Sequence, residues 1–420
     1  MTQTTTVSIS TWKLLRTSPD FSKLVTARTV STLGDHIHTV TTMWLVKELT
    51  GSAIAMASIF IANTIPRILF SLLGGVSVDR YNRKLILVLS DSLRTIGILG
   101  LVRLALAHDI QVWHVALFAA FNGAVGSFFS PAVSATLPHL VGKDGLQKAN
   151  ALNSMGVRMA GIAGGALGGV IIGAADVWAG YLIDAASYGI SALLVWSMVI
   201  PKPEQIRDQP LSPGITGVYK DLKEGLTYIF SQRILLWLVL LSVAMSFVIL
   251  PVAQLIPSLA EETHLTDPRQ VGFLWSGMTL GLFAGAVLLN FVNLTNPVLG
   301  ALAAAVLCGS SSILLGLALA YPLTLAGFIF MGFSISLFTL LTTTLFQTMV
   351  PKEMQGRFFG NIGLLTLGLQ PVVMWLAGVA ADSSSATAVF TGLGGFLLMF
   401  SLVWASLSRR SKGFFTKRAN

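Results

Sequence analysis

Apolar residues run along this chain in long stretches broken by short polar segments, and inside the stretches hydrophobic and polar positions do not alternate. A helix that spans a bilayer needs about 20 mostly apolar residues, and a barrel strand about 10 alternating ones. The pattern therefore predicts transmembrane helices. Twelve are expected, near 24–47, 53–76, 84–106, 111–132, 150–173 and 178–200, then 233–256, 270–292, 297–319, 322–346, 359–381 and 386–407. The longest break, 201–232, holds Pro201, Pro203 and Pro210 and divides the chain into two six-helix bundles, 1–200 and 233–420. Its second half places Leu222, Leu226, Ile229 and Phe230 at helical spacing, which predicts an amphipathic helix lying on the membrane surface. The expected fold is an all-α integral membrane protein on a 6+6 plan, the kind of internal symmetry that secondary transporters build around a midplane site.

Composition agrees with this reading. Hydrophobic residues make up 54% and charged residues 11%, with a mean hydropathy of +0.76, whereas a soluble domain carries about 25% charged residues. The single cysteine, Cys308, excludes a disulfide framework and a cysteine-built metal site, and neither a metal nor a cofactor is expected. Residues 1–20 are polar without an apolar centre, so no cleavable signal is expected ahead of the first span.

The net charge of +9 is distributed by topology. Twenty of the 27 Lys and Arg fall in the terminal segments and in alternate loops, against Lys47 and Arg269 in the opposite loops. Positive flanks mark the cytoplasmic side, which puts both termini in the cytoplasm. The basic loops face anionic membrane lipids rather than nucleic acid. With no G-x-x-x-x-G-K-[ST] phosphate loop, the chain has no ATP motor of its own.

Between the second and third spans the chain reads Gly75-Val-Ser-Val-Asp79-Arg80-Tyr-Asn82-Arg83-Lys84. This resembles the G-x-x-x-D-R-x-G-R-K loop of the major facilitator superfamily. Asn82 replaces its second glycine, and asparagine tolerates the left-handed backbone that a glycine supplies. The resemblance implies a cytoplasmic latch made by Gly75, Asp79, Arg80, Arg83 and Lys84. In the fifth span, Gly161, Gly164, Gly165, Gly168 and Gly169 form a stretch similar to the antiporter motif of that superfamily, with Ala160 for its first glycine and Gly165 for its proline. Small residues at this spacing also pack helices closely. Thr32-Leu33-Gly34-Asp35, Glu48-Leu49-Thr50-Gly51-Ser52, Ile65-Pro66-Arg67, Phe129-Ser130-Pro131-Ala132 and Val350-Pro351-Lys352-Glu353-Met354-Gln355-Gly356-Arg357 look like the macrolide-efflux and enterobactin-exporter branch. The resemblance implies a monomer in the bacterial inner membrane, exporting amphipathic drugs or siderophores in exchange for protons.

Charges at membrane depth cost about 2.5–3.5 kcal/mol each on insertion scales, so they face protein or water and have reasons to be there. Here they are Arg28, Asp35, His36, His38, Arg67, Asp91, Arg94, Arg103, Arg158 and Asp184, all in the first half. Asp35, midway along the first span, is the leading candidate for proton coupling, with Arg158 as its expected counter-charge. His36 and His38 are further candidates, because imidazole changes charge near neutrality. As neighbours i and i+2 they point to different faces and do not chelate one metal. Asp91 and Arg94, at i and i+3, are expected to pair. Asp184 and Arg103 are expected to neutralise each other. Arg67 follows Pro66 and has two candidate roles, bonding to carbonyls freed by the proline or neutralising an anionic substrate.

In the second half, Phe247, Gln254, Phe338, Thr342 and Phe346 are substrate-cavity candidates, since uncharged aromatic, hydroxyl and amide groups suit a large amphipathic ligand. Two other functions compete with the coupled exporter. One is an uncoupled facilitator or lipid-type flippase of the same fold. The other is a polytopic membrane enzyme, for which the only close grouping, Asp35, His36 and His38, has the wrong geometry.

Overall fold

The computed structural model describes residues 16–200, 215–264, 267–292, 294–317 and 320–410, without the side chains of 72, 75, 76, 79, 80, 143, 144, 215–222 and 407–410. Among the described residues the regular structure is entirely helical. The helices are α1 (Pro19–Thr50), α2 (Ala53–Arg80), α3 (Arg83–Leu106), α4 (Val112–Ala175), α5 (Val177–Trp196), α6 (Ile215–Ser231) and α7 (Arg233–Ile249). They continue with α8 (Val252–Glu262), α9 (Pro268–Phe291), α10 (Pro297–Gly316), α11 (Tyr321–Met349), α12 (Lys352–Ser383) and α13 (Ala386–Arg410).

The helix starts follow local chemistry. Asp267 and Asn296 cap α9 and α10 through their side chains, each with proline at the first helical position. Asn82 caps α3 in the same way, accepting from Lys84 N at 3.0 Å with φ −64° and ψ 112°. This corrects the left-handed role expected of it. An asparagine directly ahead of a helix gains a backbone N–H by staying extended.

Ten helical segments among the described residues are long and apolar enough to cross a membrane, against the twelve expected. The first expected span forms the 32-residue α1, but Asp35, His36, His38 and its threonines leave it less apolar than the other spans. The seventh is divided, with α7 ending at Ile249 and α8 starting at Val252 behind Pro251. The fourth and fifth are joined in one 64-residue helix, α4, interrupted at Gly142, where φ is +68°. Only glycine adopts such a backbone without strain, and the interruption separates spans 112–142 and 145–175. The amphipathic linker helix forms as α6 and meets α7 at 109°.

The chain clusters into two units. The first comprises residues 1–42 and 62–205, and the second residues 43–61 and 206–420. In the first, α3 packs on α4 and α5, and Phe21, Leu24, Val78, Leu87, Leu137 and Val195 join one core cluster. The glycine stretch of α4 lies against α1. A Cβ at Gly164 would fall 2.7 Å from His36 Cβ and 2.8 Å from Leu33 O, and one at Gly168 would fall 3.1 Å from Val40 Cβ. Gly161, Gly165 and Gly169 are buried or half-buried beside them.

In the second unit, α9 packs on α11, and α11 and α13 pack on α10. Gly277 and Gly285 bring α9 so close to α11 that a Cβ at either position would fall 2.7 Å from the facing helix, at Leu325 and at Phe333 O. The surface helix α6 is fixed to α12 by Glu224, whose carboxylate lies 2.8 Å from Arg357 Nη1.

Candidate functional site

Three helices of the first unit bring polar side chains to one place, and a fourth, α4, supplies the aromatic rings and the glycine around them. On α5, Tyr181, Asp184, Ser187, Tyr188 and Ser191 recur every three or four positions and form one polar face. The facing residues are Asp35 and His38 on α1, Asp91 and Arg94 on α3, and Phe118, Gly126 and Phe129 on α4.

Asp35 accepts a short hydrogen bond from the Tyr188 hydroxyl. The Tyr188 ring lies on one flank of Arg94, whose guanidinium carbon is 5.1 Å from its centroid and 5.4 Å from that of Phe129. Cation–π attraction of this kind partly replaces the water that a buried guanidinium loses. Gly126 leaves the room for it, because a Cβ there would fall 2.7 Å from Arg94 Nη2. Arg94 Nη1 is 3.7 Å from Asp91 Oδ1, and Ser191 Oγ donates to the other Asp91 oxygen at 2.5 Å. Arg94 lies within electrostatic range of Asp35, Asp91 and Asp184 together. Asp91 is 0% exposed, Asp184 1% and Arg94 7%.

The second branch joins α1 to α5. His38 Nδ1 is 3.0 Å from Asp184 Oδ2, within hydrogen-bonding distance. The His38 ring stands between Phe118 and Tyr181, at 5.4 and 5.1 Å, and Tyr181 hydrogen-bonds Thr42 at 3.1 Å. Gly34 makes this approach of α1 to α5 possible, because a side chain there would overlap Ser187 and Asp184.

The network is incompletely paired. Among the described residues, Asp91 Oδ1 and Arg94 Nε have no aligned hydrogen-bond partner although both atoms are buried. Buried polar atoms left without partners are costly, and their presence calls for a reason.

The structure brings together Asp35, His38, Asp91, Arg94 and Asp184, and corrects the partner expected for Asp184. Arg103 is exposed near the end of α3, while Asp184 is enclosed against His38. Packing of α1 on α5 decides this, since a charge buried between helices takes the titratable group opposite it. Arg67 is exposed and donates to Asn63 Oδ1 at 2.8 Å rather than to a carbonyl freed by Pro66. Asn63 in turn holds Ala119 O at 3.0 Å. His36 sits against Gly164, on a different face of α1 from His38. Arg28 and Arg158 are half-buried on α1 and α4. Of the latch residues, Gly75, Asp79 and Arg80 have side chains outside the described residues. Lys84 is half-buried, and Arg83 is buried and donates to Ala135 O at 3.0 Å.

The cavity candidates of the second unit lie within its packing. Gln254 is fully buried and donates to Met374 O at 2.7 Å. Thr342 bonds back to Phe338 O at 2.7 Å. Phe346 meets Phe358 at 4.9 Å, and Phe247 meets Phe396 at 6.1 Å. The residues missed in the sequence, Tyr188, Ser191, Ser187 and Tyr181, had a signal, because with Asp184 they repeat at helical spacing along a single span.

A sequence profile of the Major Facilitator Superfamily matches residues 24–369. An uncharacterised MFS-type transporter of Bacillus subtilis, YfiS, is 24% identical over 396 residues, 93% of each chain. The enterobactin exporter EntS of Citrobacter koseri is 27% identical over 388 residues, 91% of this chain and 87% of that one. Among solved structures, an inward-facing bacterial homologue of the human lysosomal transporter Spinster superposes with TM-score 0.68 at 14% identity, covering 96% of this chain and 99% of that one. An inward-facing bacterial homologue of the iron transporter ferroportin superposes with TM-score 0.69 at 13% identity, covering 92% and 99%.

Proposed function

The chain belongs to the Major Facilitator Superfamily, and from that membership we propose a proton-coupled exporter of amphipathic small molecules, of the siderophore or drug class, working by alternating access. That it is a membrane-embedded transporter of small molecules and not an enzyme follows from the family and its transporter relatives. The named exporter among those relatives supports the direction of transport and the substrate class. The bias of Lys and Arg supports cytoplasmic termini in a bacterial inner membrane.

The observation that carries the coupling is the loosely paired network of Asp35, Tyr188, Arg94 and Asp91, with His38 and Asp184 beside it. A proton arriving at Asp35 removes the charge that the Tyr188 hydroxyl and Arg94 answer. Arg94 then answers Asp91 and Asp184 without Asp35, and the contacts between α1, α3 and α5 change. Loss of the proton to the cytoplasm restores them. Coupling requires that these two arrangements differ in their affinity for substrate. Arg67, exposed on α2 and steadied by Asn63, is the cation we assign to an anionic substrate.

The test is export from loaded vesicles with and without an imposed pH gradient, over a panel of macrolides, dyes and catecholate siderophores. Gradient-driven export is expected in the parent, and Asp35→Asn is expected to abolish it, a loss of about 100-fold or more for a proton-transfer group, while substrate binding persists. Export indifferent to the gradient in the parent makes the protein an uncoupled facilitator and leaves Asp35 as a structural partner of Tyr188.

A further inference from the structure

The α1–α2 hairpin is shared between the two units. Residues 19–42 of α1 and 62–80 of α2 belong to the first, but the tip, 43–61, clusters with the second. One carboxylate ties the tip to α12. Asp382, in the last turn of α12, accepts from Ala53 N at 2.6 Å through Oδ1. Through Oδ2 it accepts from Ile54 N at 3.2 Å and from Ser52 Oγ at 2.5 Å. Ser52 Oγ itself accepts from Ala55 N at 3.2 Å.

Helix α2 has no acidic residue in its first turn. The acidic half of a capping box, which elsewhere comes from three residues along the same helix, is supplied here from 329 positions away. The same helices touch one turn earlier, where Gly378 lets the backbones meet, since a Cβ there would fall 3.1 Å from Ile54 Cα. Asp382 is exposed and lines a cavity of about 350 Å³ with Gly51, Ser52, Ser258, Glu261 and Glu262.

A second carboxylate of that cavity sets the comparison. Glu262 caps α13 in the same manner, accepting from Ala386 N and, at 2.9 Å, from Thr387 N. Both its helices lie wholly inside the second unit. The helix that Asp382 caps does not, because its remainder is rooted in the first.

We propose that Asp382 and Ser52 form a latch that retains the 43–61 hairpin in the second unit and releases it when the external face opens. This rests on the alternating-access reading and on the orientation given above, which puts this end outside. The contact is suited to a reversible hold. Its acceptor is charged, three donors converge on it, and it is open to water that replaces the lost hydrogen bonds on release.

The experiment uses the full chain with Cys308→Ser as background and Ala57→Cys as reporter, Ala57 being fully buried in the hairpin. A membrane-impermeant maleimide is applied to each side in turn. Asp382→Asn is expected to raise external labelling by about five-fold, the factor that loss of a helix cap represents. Ser52→Ala is expected to raise it less, and Asp382→Glu to restore slow labelling in part. Glu262→Gln should leave the rate at that of the parent.

Unchanged labelling in Asp382→Asn overturns the latch, and so does an equal rise in Glu262→Gln, which would mean general loosening. If Asp382→Asn does not reach the membrane, Ser52→Ala decides by the same criterion. Labelling needs neither substrate nor gradient, so failure of proton coupling leaves this result standing. A rise seen only from the cytoplasmic side overturns the orientation and keeps the latch.

Discussion

In the first unit the polar side chains that matter reach partners on other helices, whereas in the second most reach back along their own. Asp35 bonds Tyr188, Asp91 bonds Ser191 and Asp184 faces His38, each across a helix interface. In the second unit Ser242, Ser246, Ser311 and Thr342 bond to backbone oxygens four residues earlier. Where that unit bonds between helices in its interior, as Gln254 does to Met374 O and Ser312 to Phe390 O, the partners are neutral, and its charged contacts between helices, those of Glu224, Glu262 and Asp382, are exposed or half-buried. Its buried polar residues include no charged side chain among the described residues, while the first unit buries Arg83, Asp91, Arg94 and Asp184. A hydroxyl satisfied by its own helix keeps its partner however the helix moves. A carboxylate satisfied by another helix does not. The buried polarity of the first unit therefore depends on conformation, as the proposed coupling requires, and that of the second does so far less.

Removing the cation of the first unit should break this contrast most severely. Arg94→Ala leaves buried carboxylates unpaired, and the cost is about 3–5 kcal/mol, read as a lower thermal midpoint of the detergent-solubilised protein. The double variant Asp91→Leu/Arg94→Leu should recover most of that stability but none of the gradient-driven export. No recovery would identify Asp35, rather than Asp91, as the principal partner of Arg94.

In the second unit the equivalent injury is steric. Gly281→Val drives side-chain atoms into the backbone of α11 at Ile329 and Phe333, at a cost of about 2–3 kcal/mol. Export should fall in proportion to folded protein, with its dependence on the gradient intact. Loss of the dependence itself would remove the division of labour between the units.

Tyr188→Phe is milder, because it deletes one hydrogen bond to a charged group. A loss of about ten-fold in gradient-driven export is expected, equivalent to about 1.5 kcal/mol, with little change in the substrate concentration for half-maximal rate. The smallest effect belongs to Ser311→Ala, in which a hydroxyl bonded within its own helix disappears. Its stability change should stay below about 1 kcal/mol, with transport unaltered.

Hydropathy revealed where the spans lie, and the departures are instructive. Helix α1 is less apolar than the other spans, because Asp35, His36, His38 and a run of threonines dilute it. At Gly142 the turn expected between the fourth and fifth spans is a sharp break, since a glycine with positive φ redirects the chain within very few residues. The charged residues of the proposed coupling network were all visible as charges at membrane depth. Their partners were less visible. Asp184 was assigned to Arg103, and Tyr188 was passed over, although its place on the polar face of α5 could be read from the spacing of its neighbours.

Composition, span length and the spacing of charges act locally and additively, so the amino-acid sequence alone determined that this is a helical membrane protein with its membrane-depth charges in the first half. Pairing is of a different kind. Asp35 and Tyr188 are 153 positions apart, Asp91 and Ser191 are 100 apart, and Asp382 and Ala53 are 329 apart. Which of them meet depends on which helix faces which, and here that is set by glycines, Gly34, Gly126, Gly164 and Gly378, whose missing side chains allow close approach at one register and no other. Tertiary structure alone decided the partners, because a buried charge is stabilised by whatever the packing of helices places opposite it.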